Sequence, residues 1–205
     1  MRNIAVIGAG QMGTGIAQTV AAHGMNVMLA DIDLARAEAG KANVEKALVK
    51  LMGRGKIEAA EAESLLARIT PVADYAPFAE ADLIVEAATE REEIKNAIFE
   101  AAGKVLAAGA IMASNTSSIP ITRMANHSPD PARFIGLHFF NPVPLMGLVE
   151  VVSTILTDQE VANEAISVVE AMGMYEATAR LTGTELDDRR VVCGLVLLRE
   201  FPGQR

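Results

Sequence analysis

Residues 3–13 read NIAVIGAGQMG, and this stretch decides the fold. Its first half is an apolar run with β-branched residues, which is typical of a strand buried on both faces. The run ends in a G-x-G-x-x-G pattern, and a helical pattern of apolar residues follows at once. A strand, a glycine turn and a helix in direct succession are the context in which this pattern indicates a dinucleotide-binding fold.

The three glycines of the pattern have separate expected roles. Gly8 permits a tight turn, Gly10 lets the backbone approach a pyrophosphate, and Gly13 lets the helix pack close to the strand. The helix begins around Gln11 and Met12, where unpaired N–H groups and the positive end of the helix dipole face the phosphates. The sequence therefore predicts cofactor contacts at all five positions.

A second buried strand is predicted over residues 26–30, and Asp31 follows it. An acidic residue about 20 positions after the glycines binds the ribose 2′-hydroxyl of a dinucleotide. Because its carboxylate would repel the 2′-phosphate of NADP, the sequence favours NAD as the cofactor. Asp31 also fits the N-cap of a helix that begins at residue 34, and the two roles are compatible.

Composition limits the classes of function. The chain has 205 residues, 51% of them hydrophobic, which is enough for one large domain or for a domain with a fragment of another. We expect no membrane partner, because no apolar run has spanning length and no signal peptide is evident. A single cysteine, Cys193, suits a reducing compartment such as the cytoplasm. The net charge of −8 argues against nucleic-acid binding, and no metal site is expected.

Strand and helix patterns alternate from residue 1 to about residue 173. This alternation predicts a Rossmann-like α/β domain over residues 1–173, with a doubly wound, mainly parallel sheet. Two helical patterns separated by glycines at residues 53 and 55 predict a helical hairpin inserted in this domain, over about residues 34–68.

The first helix of that hairpin carries a basic stripe. Lys46, Lys50 and Arg54 follow an i, i+4, i+8 spacing, which places them on one face. One interpretation is contact with an anionic tail such as the phosphates of coenzyme A. The other, which spacing alone favours, is a solvated helix face.

Two polar residues interrupt otherwise apolar strands, His138 in residues 134–140 and Glu150 in residues 148–152. An unpaired polar group is costly in such a strand, so we expect the two side chains to meet. A carboxylate beside an imidazole fixes its tautomer and stabilises its protonated form, as a general acid/base requires. A purely structural pair is the alternative. Ser117 and Asn141 could hold a substrate oxygen nearby, or they could simply form turns.

These segments together resemble the NAD-binding domain of 3-hydroxyacyl-CoA dehydrogenases, and more closely that of the bacterial 3-hydroxybutyryl-CoA dehydrogenases. The resemblance covers residue 1 to about residue 173. Its carriers are VIGAGQMGTGIAQ, IVEAATE, SNTSSIPIT and HFFNPVPLMGLVEVV, of which the last two are far more specific than the glycine pattern.

The resemblance implies reversible, NAD-dependent oxidation of an (S)-3-hydroxyacyl-CoA, a step of fatty-acid oxidation. His138 corresponds to the catalytic base and Glu150 to its orienting partner, while Ser117 and Asn141 hold the 3-oxygen of the substrate. Another hydroxyacid dehydrogenase fits less well, because such relatives usually employ a lysine base in their other domain.

The same resemblance implies further cofactor contacts. Glu90 and Lys95 match family positions near the cofactor, and Asn115 matches a position close to the nicotinamide.

After residue 173 the sequence departs from the family pattern, so residues 174–205 are treated as a divergent tail for which no structure is predicted. The helical C-terminal domain of the family, which covers the acyl site and makes the dimer, is expected to be absent. An NAD-binding domain without turnover is therefore the alternative function.

Overall fold

The computed structural model describes residues 3–180, and eight strands within that range form one sheet. The strands are β1 (Asn3–Ile7), β2 (Asn26–Ala30), β3 (Ile69–Val72), β4 (Leu83–Glu86), β5 (Ile111–Ser114), β6 (Phe134–Phe139), β7 (Leu148–Ser153) and β8 (Tyr175–Arg180). The helices are α1 (Gln11–Ala22), α2 (Leu34–Gly53), α3 (Ala59–Ala67), α4 (Glu92–Gly103), α5 (Ile121–Ala125), α6 (Val143–Met146) and α7 (Gln159–Ala171). Two short 3₁₀ helices, Ala76–Glu80 and Pro131–Arg133, complete the described part.

The strands are ordered β3-β2-β1-β4-β5-β6-β7-β8. All neighbouring strands run parallel except β6 and β7, which are antiparallel. The direction of winding reverses between β1 and β4, which is where an open sheet of this kind forms its ligand crevice. The doubly wound, mainly parallel sheet predicted from the sequence is confirmed.

Both faces of the sheet are covered, which explains why the inner strands are apolar at successive positions. In β1, Ile4 and Val6 belong to the larger apolar cluster, which includes residues of α1, α2, α3 and α7. Ala5 and Ile7 point the other way, into a smaller cluster with Phe99 of α4. The sheet is therefore a central layer with an apolar cluster on each face.

The chain continues the sheet beyond residue 173. Strand β8 pairs in parallel with β7, from Tyr175 opposite Leu148 to Arg180 opposite Ser153. Part of the segment for which the sequence predicted no structure therefore forms an edge strand, while residues 181–205 lie outside the described part. The division of the chain at residue 173 stays a prediction.

Within residues 3–180, none of the helices has the length and apolar content needed to cross a bilayer. Nor does this range contain a group of three or more His, Cys, Asp or Glu side chains arranged to hold a metal ion.

Candidate functional site

The glycine loop between β1 and α1 is built as the motif requires. Gly8 has φ +104°, and its N–H donates to the carbonyl of Ala30 at 2.8 Å. A Cβ atom on Gly13 would lie 1.7 Å from the carbonyl oxygen of Gly8, so α1 starts in direct contact with the turn. Around Gly10, by contrast, no atom lies within 4 Å of a Cβ position. The loop is thus closed on its inner side and open at Gly10, as approach of a pyrophosphate requires.

We expect Gly13→Ala to weaken NADH binding by at least about tenfold, because the added methyl forces α1 away from the turn. Gly53→Ala at the end of α2 is the matched control, since a Cβ there meets nothing within 4 Å. Calorimetric titration with NADH checks both variants. Equal affinities in the two variants would contradict the role of Gly13.

Asp31 is fixed against the glycine loop. Its Oδ2 accepts the N–H of Ala9 at 2.6 Å, and its Oδ1 accepts the N–H of Ile32 at 2.8 Å. The alternative that Asp31 caps α2 is wrong: Asp33 is the N-cap and accepts the N–H of Arg36 at 2.8 Å. The carboxylate of Asp31 therefore binds backbone N–H groups of the glycine loop and of the next residue, and it lies at the crevice rather than at the N-terminus of α2.

A buried ion pair lies at the ends of β4 and β5. Lys95 Nζ donates to Glu86 Oε2 at 2.6 Å, and the two side chains are 1% and 0% exposed. Ser114 Oγ donates to the same oxygen at 3.0 Å, while Glu86 Oε1 accepts the N–H of Ala88 at 2.8 Å. Lys95, which the resemblance places near the cofactor, therefore has its ammonium group buried on Glu86.

Sequence reasoning did not select Glu86 or Ser114 as site residues. A usable signal was present, because Glu86 is a charged residue in an apolar strand, as Glu150 is. The same argument from the cost of burying a charge would have found it.

The polar run after β5 joins neighbouring elements. Asn115 Oδ1 accepts the N–H of Phe139 in β6 at 2.8 Å, which leaves its amide nitrogen without a partner within residues 3–180. Thr116 Oγ1 donates to Glu90 Oε2 at 2.7 Å. Glu90 is exposed near the end of the β4–α4 connection, two residues before α4 begins. Both predicted cofactor residues, Glu90 and Asn115, thus lie beyond the carboxyl ends of β4 and β5, at the crevice.

One tyrosine also belongs to this edge of the sheet. Tyr75 follows β3 and stacks on Phe78 with ring centroids 5.3 Å apart. Burial raises the pKa of its phenol, and the negative charges of Glu86 and Asp31 raise it further. The phenol therefore stays neutral at physiological pH.

His138 and Glu150 meet, as the sequence predicts. They lie directly opposite each other in the antiparallel pair β6–β7, and His138 Nδ1 is 2.7 Å from Glu150 Oε2. The side chains are 14% and 4% exposed. When the imidazole is neutral, the carboxylate fixes the proton on Nδ1 and leaves Nε2 as an acceptor. The pair can therefore receive a proton at Nε2 and stabilise the resulting charge.

Two predicted substrate residues lie on loops at the ends of β5 and β6. Ser117 is half-buried beyond the end of β5, and Asn141 is exposed just after β6. The segment after Asn141 packs on the helix of the glycine motif, since a Cβ on Gly15 would lie 3.0 Å from Cβ of Val143. The same helix that begins at the glycine loop thus supports the loop that carries Asn141.

The basic stripe is separate from these residues. Lys46, Lys50 and Arg54 are exposed on α2 and directly after it. No ion-pair partner for them occurs among the described residues. Their exposure agrees with both interpretations, so contact with coenzyme A stays a prediction.

Comparison with known proteins gives consistent matches. Residues 3–180 match the family model described as "3-hydroxyacyl-CoA dehydrogenase, NAD binding domain". The "Probable 3-hydroxybutyryl-CoA dehydrogenase" of Deinococcus radiodurans is 47% identical over 168 residues, which are 82% of this chain and 60% of that protein. The chain thus spans about three-fifths of that relative.

Solved structures give the same result. The crystal structure of (S)-3-hydroxybutyryl-CoA dehydrogenase from Ralstonia eutropha has a TM-score of 0.88 and 36% identity, covering 94% of this chain and 68% of that one. The crystal structure of 3-hydroxybutyryl-CoA dehydrogenase from Escherichia coli K12 has a TM-score of 0.85 and 40% identity, covering 88% of this chain and 38% of that one.

Proposed function

The chain belongs to the 3-hydroxyacyl-CoA dehydrogenase NAD-binding domain family, and we propose that it interconverts a short-chain (S)-3-hydroxyacyl-CoA and the 3-ketoacyl-CoA. The predicted family and NAD-binding domain are confirmed by the family match. The observation that carries the proposed reaction is the His138–Glu150 pair. It lies on β6 and β7 of the sheet whose strand β1 leads into the glycine loop.

In the proposed oxidation, His138 Nε2 takes the proton of the 3-hydroxyl group while the hydride leaves C3. The chemistry that NAD would supply, when bound, is that of a hydride acceptor. Glu150 stabilises the imidazolium that forms, because its carboxylate lies 2.7 Å from Nδ1. In the reverse direction the imidazolium returns the proton to the 3-oxygen.

Substrate orientation is assigned to polar groups around this pair. Ser117 and Asn141 are proposed to hold the 3-oxygen near His138, so that little motion separates the bound state from the reacting one. The basic stripe is the candidate contact for the phosphates of coenzyme A. A cytoplasmic location and the lack of membrane and nucleic-acid partners stay predictions.

The test of the proposed function is an assay of the full chain with acetoacetyl-CoA and NADH, followed by the loss of NADH absorbance. We expect turnover that depends on both compounds. Calorimetry with NADH accompanies the assay. Binding of NADH without any turnover would contradict the proposed activity and would favour a cofactor-binding domain that performs no reaction.

We expect Asp31→Asn to shift the preference for NADH over NADPH by about 10- to 100-fold, because hydrogen bonds to a charged group contribute about 1.5–3 kcal/mol. The substitution keeps one oxygen that can accept the N–H of Ala9, but it removes the acceptor of the Ile32 N–H and the charge that is proposed to bind the ribose. Arg36, whose Nε lies 3.9 Å from Asp31 Oδ1, is then free to attract a 2′-phosphate.

Asp33→Asn is the matched control for this prediction, since it removes the same charge two residues away and asparagine also caps helices well. Competition between NADH and NADPH, measured by titration, gives the ratio of affinities. An unchanged ratio of NADH to NADPH affinities in Asp31→Asn would show that the carboxylate does not determine the preference between the two cofactors.

A further inference from the structure

Three consecutive side chains, beginning with the last residue of β5, contact three different parts of the chain. Ser114 donates to the buried carboxylate of β4, Asn115 accepts from the backbone of β6, and Thr116 donates to Glu90. The next residue, Ser117, has a hydroxyl group without a partner in residues 3–180. The side chains of residues 114–116 therefore form a frame of hydrogen bonds. The Ser117 hydroxyl next to this frame is available to bind a ligand.

Thr116 has the central place in that frame. Its hydroxyl donates to Glu90 Oε2 at 2.7 Å and accepts the N–H groups of Ile119 at 3.1 Å and Ser118 at 3.3 Å. The residue is 3% exposed. The two accepted bonds close a turn around Ser117, and the donated bond ties this turn to the connection between β4 and α4.

We propose that Thr116 is a positioning residue that fixes the Ser117 hydroxyl and the Glu90 carboxylate relative to each other at the crevice. This inference rests on the proposed function, in which Ser117 contacts the substrate, and on the family resemblance, which places Glu90 near the cofactor. The Thr116 hydroxyl makes the shorter of two bonds between the loops, because Ser118 Oγ also donates to Glu90 Oε2 at 3.5 Å. Its loss opens the turn around Ser117 and leaves Glu90 held only by the longer bond.

The test compares Thr116→Val, Thr116→Ser and the control Thr157→Val in the full chain. Thr157 is also buried, and its hydroxyl donates to the carbonyl of Phe134 at 2.9 Å and accepts the N–H of Thr154 at 2.9 Å. These bonds lie at the start of β6, whereas the crevice lies at the carboxyl ends of the parallel strands. Both valine variants should lower the melting temperature.

Only Thr116→Val should also weaken NADH binding, by about tenfold or more, and lower kcat for acetoacetyl-CoA by a similar factor. Thr116→Ser keeps the hydroxyl and should stay within about threefold of the unmodified chain in both measurements. Equal NADH affinities for Thr116→Val and Thr157→Val would overturn the proposal. So would a serine variant as weak as the valine variant.

The NADH titrations separate this inference from the proposed function. If the unmodified chain binds NADH and the variants show the expected order of affinities but no variant turns over, the reaction fails and the positioning role stands. If the unmodified chain turns over and all three variants bind NADH equally, the reaction stands and the positioning role is overturned. A chain that binds no NADH overturns both.

Discussion

Replacing His138 with glutamine lowers kcat for acetoacetyl-CoA by about 10²- to 10⁴-fold, the range that a positioned general acid or base contributes. Glutamine retains polarity and similar size but accepts no proton at neutral pH. Because the predicted cofactor contacts lie on other elements, the affinity for NADH should stay within about threefold. The measurement combines steady-state kinetics with calorimetric titration of NADH.

The chain supplies a matched control for this variant. His127 Nδ1 lies 2.7 Å from Glu100 Oε1, the same separation as between His138 and Glu150, but these side chains are 38% and 58% exposed. His127→Gln should therefore leave kcat unchanged. Equal kinetic effects in His138→Gln and His127→Gln would contradict the proposed role of His138 as the general acid or base.

Glu150→Gln tests the contribution of the Glu150 carboxylate while the proton-accepting imidazole of His138 stays in place. The amide no longer balances the charge that His138 acquires, so kcat should fall, although the imidazole is still present. The decrease should also be larger than in Glu100→Gln, the corresponding change in the exposed pair. A Glu150→Gln variant with full kcat would show that the contact between Glu150 and His138 is only structural.

Replacing Lys95 with methionine should lower the free energy of unfolding by about 3–5 kcal/mol, because it leaves the Glu86 carboxylate buried without a counter-charge. Both side chains are at most 1% exposed, so water cannot take the place of the ammonium group. Urea denaturation followed by circular dichroism gives the free energy. We expect this to be the largest stability effect among single substitutions at the crevice edge.

The double variant Glu86→Gln/Lys95→Met tests the cause. It removes both charges, so it should recover a large part of the stability lost in Lys95→Met. Arg123→Met is the exposed control: Arg123 pairs with Glu92 at 2.5 Å, but its side chain is 59% exposed, and such pairs contribute only about 0.2–1 kcal/mol. A double variant as unstable as Lys95→Met would contradict the explanation by unpaired charge.

Local patterns predicted much of this fold and site. The strand, glycine turn and helix at the start of the chain follow from periodicity and from residue types within a short window. The contact between His138 and Glu150 was also predictable, because each is polar in an apolar strand and the other is its nearest available partner.

The missed features depend on tertiary contacts. Asp31 and Asp33 are both acceptable caps for α2, and the choice depends on the N–H of Ala9, which lies 22 positions earlier in the chain. The partners of Thr116 and Ser114 lie 26 and 28 positions away. Such pairings appear only once the order of β4 and β5 in the sheet is known, which composition and spacing do not provide.

The contact between His138 and Glu150 also favours the correct antiparallel register of β6 and β7. His138 is opposite Glu150, with Leu137 opposite Val151 and Phe139 opposite Val149. Since side chains alternate between faces, a slip of one residue would turn Glu150 to the other face and set a valine against the imidazole. That misaligned sheet would bury a carboxylate with no imidazole beside it, at a high cost in free energy. The residues proposed to move a proton thus also disfavour the wrong alignment of their own strands.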